Sequence, residues 1–128
     1  MSLKKKILEH ITMSELRIIE QFADSLFKTL NVDIVFTHHF YDRLNDFRNG
    51  KEIEPEELID IFKKFFQKYR GKISYMPLAT PAILKDLNTK INIPFTLTYN
   101  EKDDEIDFVA KTIMRKDNFL GKEKKYYI

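Results

Sequence analysis

The feature that most constrains the fold is a change of period near residue 71. Before it, apolar residues recur every three or four positions. After it, Ile91, Ile93, Phe95, Leu97 and Tyr99 face one way, and Asn92, Pro94, Thr96 and Thr98 face the other. The first pattern reads as helices with one buried stripe, the second as a strand with one buried side. Helices segregated from an antiparallel sheet make an α+β domain.

Local signals place the elements. Thr12-Met-Ser-Glu15 has capping-box spacing, with Ile11 and Leu16 set for a hydrophobic staple. The helix that follows runs to about Leu30 on a stripe of Leu16, Ile19, Phe22, Ala23, Leu26 and Leu30, and Asn31 is suited to stop it. Asp33 to Thr37 reads as a short strand, and Thr37 can cap a second helix whose apolar side is Phe40, Leu44 and Phe47. Asn49-Gly50 supplies a turn. Pro55, with acids around it, opens a third helix that ends at Gly71. Residues 82–87 favour strand. Pro94 cannot donate to a ladder, so it marks an edge or a bulge. A polar loop over 100–105 joins the alternating strand to a partner at 106–114.

The expected order is therefore an N-terminal helix, a short strand, two helices, and an antiparallel meander of two or three strands. The expected organisation is a flexible N-terminus over 1–12, one α+β domain over 13–119, and a basic and aromatic tail over 120–128. A chain of 128 residues with 43% hydrophobic content suffices for one core. With no Cys, disulfides, thiolate metal sites and Cys nucleophiles are excluded. No apolar run approaches the roughly 20 residues of a membrane span. A soluble cytoplasmic chain with no membrane partner is expected.

Net charge is only +2, but it is unevenly distributed. Lys111, Arg115, Lys116, Lys122, Lys124 and Lys125 face only Asp117 and Glu123 over 111–125, whereas 52–60 holds acids and no base. Such asymmetry can steer a polyanion to one side; equally, it can be solvated surface.

The candidate chemistry centres on His38 and His39, at the strand-to-helix turn, with Arg43 one helical turn on. In metal-independent RNA cleavage a base takes the 2′-hydroxyl proton, an acid protonates the leaving oxygen, and cations stabilise the phosphorane. His38, His39 and Arg43 are the candidate catalytic residues. Arg48, Lys111, Arg115 and Lys116 are the candidate phosphate binders, as a fork or a point charge. The alternative is that one histidine packs near the cap, the other is solvated, and the cations are surface groups. Tyr126 and Tyr127 beside Lys124 and Lys125 can stack bases or dock the tail on the domain or a partner. Asp103, Asp104, Glu105 and Asp107 lack EF-hand spacing and read as solvated loop acids. No metal or cofactor is expected: HExxH, Walker, GxGxxG, GxSxG and kinase signatures are missing from the sequence.

The stretch VDIVFTHHFYDRLNDFR, the helix EPEELIDIFKKFF and the closing IPFTLTYNEKDDEIDFVAKTIMRKDNF resemble the RelE/ParE-like toxin superfamily, including BrnT-type toxins, over roughly residues 32–119. The Lys, Asn and Phe content also resembles small tailed-phage proteins. The resemblance implies a RelE-like core and either mRNA cleavage, often on the ribosome, or gyrase inhibition; the leading expectation is an RNA-binding protein, on the ribosome or free, that acts as a metal-independent endoribonuclease. Only Lys111, Arg115 and Lys116 match the later-strand position of that superfamily's cations, and the helix over 13–30 is extra. The competing expectation is a non-catalytic protein that binds a host or phage protein, favoured by the acidic 52–60 segment, the extra helix and the aromatic tail.

Overall fold

The structure, a computed structural model, describes residues 10–119 and 121–128. Residues 1–9, read as part of a flexible end, and Leu120 lie outside the described residues. Helix α1 (Met13–Phe27) begins at a formed capping box: Thr12 Oγ1 accepts the Glu15 N–H at 3.1 Å, and Glu15 Oε1 accepts the Thr12 N–H at 3.0 Å. A 3₁₀ turn (Lys28–Leu30) extends it, and Asn31 stops it in the left-handed conformation. Ile11 is fully buried before the cap. Its N–H and C=O bond the Asn45 side chain at 2.9 and 2.8 Å, which fixes the entry to α1.

Strand β1 (Val32–Phe36) leads through Thr37 into α2 (His38–Leu44), where Thr37 Oγ1 accepts the Phe40 N–H at 3.0 Å. The expected third contact of this helix, Phe47, is instead 78% exposed. Side-chain hydrogen bonds end the helix early. The Asn45 side chain is held by Ile11, and Asp46 accepts the Arg48 N–H at 2.8 Å to cap a separate 3₁₀ turn (Phe47–Asn49). Gly50 provides the positive φ of the following turn, and Asn49 is buried. Helix α3 (Pro55–Tyr69) starts with Pro in its first turn and reciprocal Glu54–Glu57 capping, and buries Leu58, Ile61, Phe62 and Phe65.

The sheet corrects the expected antiparallel meander of two or three strands. It is mixed and six-stranded, in the order β1-β4-β3-β2-β6, with β5 also paired to β3. Its later strands are β2 (Ala82–Asp86), β3 (Ile91–Asn100), β4 (Glu105–Ala110), β5 (Met114–Arg115) and β6 (Lys124–Tyr127). β1 lies parallel to β4, and β6 parallel to β2; the other pairs are antiparallel. Parallel neighbours are joined by long connections rather than tight turns, so local turn chemistry does not announce them. The expected partner strand over 106–114 is split: Lys111–Ile113 leaves the ladder between β4 and β5. Pro94 sits at that break. Its carbonyl accepts the Lys111 N–H at 2.9 Å, so its missing N–H points to the side where the neighbouring ladder is interrupted. Residues 124–127 of the C-terminal segment form β6, and Tyr126 docks edge-on to Tyr69 at 5.5 Å.

Helices α1 and α3 cover one face. Phe95 stacks on Phe108 at 4.3 Å, and Phe65 contacts both rings. Phe27 links α1 to Phe65 at 5.5 Å. Among the described residues no helix is long and apolar enough to cross a membrane.

Candidate functional site

The two ends of the β1–β4 pair carry opposite chemistry. At the C-terminal end of the strands, the Thr37 hydroxyl donates to the Lys111 carbonyl at 2.9 Å while capping α2. This seats the histidine turn beside Lys111. His38 is exposed, 3.7 Å from Asp42. His39, Lys111 and Lys116 are exposed, with no hydrogen-bonding or ionic side-chain partner among the described residues. Sequence proximity and the β1–β4 pairing thus bring His38, His39 and Lys111 together.

The arginines are deployed differently. Arg48 chelates Asp46 through Nε at 3.0 Å and Nη2 at 2.8 Å, and Arg43 approaches the same carboxylate at 3.7 Å. The Arg48 guanidinium holds the Asp46 carboxyl down to about 2. Arg115 is 12% exposed and meets Glu57 at 2.7 and 3.2 Å. It also donates to the carbonyls of Lys51, Glu52 and Thr89. These bonds use all five N–H donors of a guanidinium. Its backbone N–H donates to Asn49, whose own side-chain amide donates to the Arg43 and Leu44 carbonyls. Arg115 therefore fastens the 49–57 loop to the sheet, and no donor is left for phosphate.

The opposite end was not foreseen from the sequence. The register Val32↔Ile106 and Asp33↔Asp107 aligns like with like. Alternation then sends Val32 and Ile106 to the helix side, and Asp33, Glu105 and Asp107 to the other. On the helix side, Val32 and Ile106 join Leu30, Ile73, Met76 and Leu78 around a groove of about 300 Å³. Tyr75 is 86% exposed and Leu78 48% exposed. On the other side, carboxylate oxygens of Asp33, Glu105 and Asp107 lie within 4.8 Å of one another. Burial, and then the neighbouring Asp33, raises the Asp107 and Glu105 carboxyls above their usual range. Asp24 accepts the Ile34 N–H at 2.7 Å, closing part of the β1 edge, yet burial and Asp33 raise its carboxyl to about 7. No described cation pairs with Asp24, Asp33, Asp103, Glu105 or Asp107.

Among the described residues, two donor sets have the proximity to hold a metal: the Asp33 group and His10 with Glu52 and Glu54. In the second, the two ring nitrogens face different carboxylates, Nδ1 to Glu52 at 3.3 Å and Nε2 to Glu54 at 2.9 Å. That is how an imidazolium is held; a metal-bound histidine presents one nitrogen to the ion.

In comparison with known proteins, no family model, curated protein or solved structure matches this chain. The likeness to RelE/ParE-like toxins stands on the sequence pattern alone.

Proposed function

We propose that this protein is a non-catalytic binding protein, and that its partner protein docks on the apolar groove at the Val32–Ile106 end of the sheet. The carrying observation is Leu78, a half-exposed apolar group in the lining of a groove whose walls include the buried Val32, Ile73 and Met76, with the exposed Tyr75 in the chain between the lining residues Ser74 and Met76. Exposed apolar groups at the mouth of a formed groove mark interaction surfaces more specifically than single exposed residues do. A photo-crosslinker placed at Tyr75 should give one discrete protein adduct, lost in Leu78→Glu. The same probe at His38 should give none. Adducts that ignore Leu78→Glu would overturn this reading.

A second reading, a RelE/BrnT-like RNA-binding protein acting as a metal-independent endoribonuclease, is favoured by the exposed His38 and His39 beside Lys111. One histidine would serve as base or acid, with Lys111, Lys116 and Arg43 on phosphate. Arg115 is withdrawn from that set by its five bonds, and Arg43 and Arg48 already share Asp46. RNA cleavage in EDTA, with and without ribosomes, that disappears in a folded His38→Ala/His39→Ala variant would shift the assignment to this end.

A further inference from the structure

We infer that helix α1 guards the outer edge of β1: Glu20 and Asp24 occupy the hydrogen-bonding positions at which a second copy of this chain would otherwise pair, strand to strand, with β1. β1 and β6 are the outer strands of the sheet. An outer strand has one row of backbone donors and acceptors without a neighbouring strand, and such a row is a template for another chain. β1 suits that role by composition, since Val32, Ile34, Val35 and Phe36 leave Asp33 as its one charge.

The ladder sets the direction of that row. The Thr37 N–H donates to the Ala110 carbonyl and the Ile106 N–H to the Asn31 carbonyl, so the odd-numbered residues of this stretch face β4. The even-numbered Val32, Ile34 and Phe36 therefore turn their N–H and C=O groups outward. Two of those donors are taken by α1. The Ile34 N–H donates to Asp24 Oδ1 at 2.7 Å, and the Phe36 N–H to Glu20 Oε2 at 2.8 Å. The spacings match: four residues of helix rise about 6 Å, and two residues of strand about 6.6 Å. Arg17 Nη1 donates to both Glu20 oxygens, at 2.9 and 3.0 Å, and steadies that carboxylate. The two carboxylates stand where the carbonyls of a further strand would stand.

The opposite edge is closed by the complementary chemistry. The Tyr127 carbonyl of β6 faces away from β2 and accepts from Lys68 Nζ at 2.6 Å and from the Tyr69 hydroxyl at 3.0 Å, both on α3. Each helix that covers the sheet thus also closes the edge beside it. β6 is in addition short and carries Lys124 and Lys125, which discourage pairing by themselves.

The occupant that β1 fits is the β1 of a second copy. Antiparallel pairing centred on Ile34 sets Ile34 opposite Ile34, Val32 opposite Phe36, and Asp33 opposite Val35. The outward donors and acceptors then meet one another, no two acids lie directly opposite, and the contact closes on a two-fold axis. A cavity of about 580 Å³ between α1 and the start of β1 leaves space for a chain beside the edge.

The test compares two double variants of the full chain by sedimentation at rising concentration. Glu20→Ala/Asp24→Ala removes the guard, and Glu20→Gln/Asp24→Asn keeps an acceptor oxygen for each N–H. The parent and the amide variant should stay single, while the alanine variant should double in mass. Adding Asp33→Cys/Val35→Cys to the alanine variant should give a disulfide-linked dimer in air, because these positions lie opposite each other with Cα atoms about 4.5 Å apart. The same cysteines in the parent should give none. Leu78→Glu should leave the alanine dimer intact, which keeps this edge distinct from the apolar groove. Hydrogen exchange in the parent checks the guard without any substitution: the Ile34 and Phe36 amides should exchange as slowly as that of Val35, which faces β4. Fast exchange at both, or a folded alanine variant that stays single at every concentration, would overturn the inference. So would an amide variant that dimerises as readily as the alanine one, since charge and not occupied bonding positions would then keep the copies apart.

Discussion

The loop held by Arg115 and the strand ends around Asp107 are both rich in charge, yet the charges do opposite things. Around Arg115, the Glu57 carboxylate and three carbonyls meet one guanidinium, and burial is matched by hydrogen bonds. Around Asp107, acids on adjoining strands face one another without a described cation, and one buried Asp107 oxygen has no hydrogen-bond partner. Matched charge fixes the fold. Unmatched charge costs stability.

The largest effect should come from breaking the matched region. Arg115→Ala leaves Glu57 half-buried and three carbonyls unpaired, and should cost about 3 kcal/mol in urea unfolding. Arg115→Lys should recover little, since an ammonium cannot reproduce the fork. At the other end, Leu78→Glu should change stability by no more than about 0.5 kcal/mol, because the side chain is already half exposed, while abolishing partner binding. A similar stability loss in both variants would erase the contrast between the regions.

Two smaller effects sharpen it through pH. The Asp24 carboxyl sits at about 7 in the folded chain, against 3.8 for the ordinary group. Between those values the folded state holds the extra proton, so stability should fall as pH rises from about 4 to about 7. Asp24→Asn keeps an acceptor for the Ile34 N–H and should flatten that slope, giving a higher Tm than the parent at pH above about 7. His10 behaves oppositely. Its hydrogen bond to Glu54, with the charges of Glu54 and Glu52, raises its pKa above 6.5. That stabilisation is complete below about 6.5 and is lost as pH rises through the raised value. His10→Ala should lower Tm slightly in mild acid and leave it unchanged in alkali; equal losses at both would remove the imidazolium from the account.

Local signals in the sequence carried through to the structure. Thr12 with Glu15, Thr37 and Pro55 depend only on near neighbours, and each forms as its spacing requires. The alternating strand forms and buries Ile91, Ile93, Phe95 and Leu97, but Asn92 and Thr96 on its other side are buried too, and Tyr99, expected on the apolar side, is exposed. The reading failed where distant segments meet. The β1–β4 register joins Asp33 to Asp107 across 74 positions of chain, so acids that look like solvated loop groups become a cluster. Arg115 looks like a phosphate fork until Glu57 arrives from 58 residues away. Phe47 looks like core by period, but Asn45 and Asp46 end the helix first. Phe27 was outside the expected stripe and yet is buried against Phe65.

The most direct test of the central claim, that the apolar groove at the Val32–Ile106 end is the binding surface, is an amide chemical-shift map of the labelled protein titrated with the partner captured by the Tyr75 crosslinker. The account predicts shifts concentrated at 30–33, 73–78 and 99–107, with 37–39 and 111–116 unmoved. Shifts centred on His38, His39 and Lys111, or none at saturating partner, would contradict it.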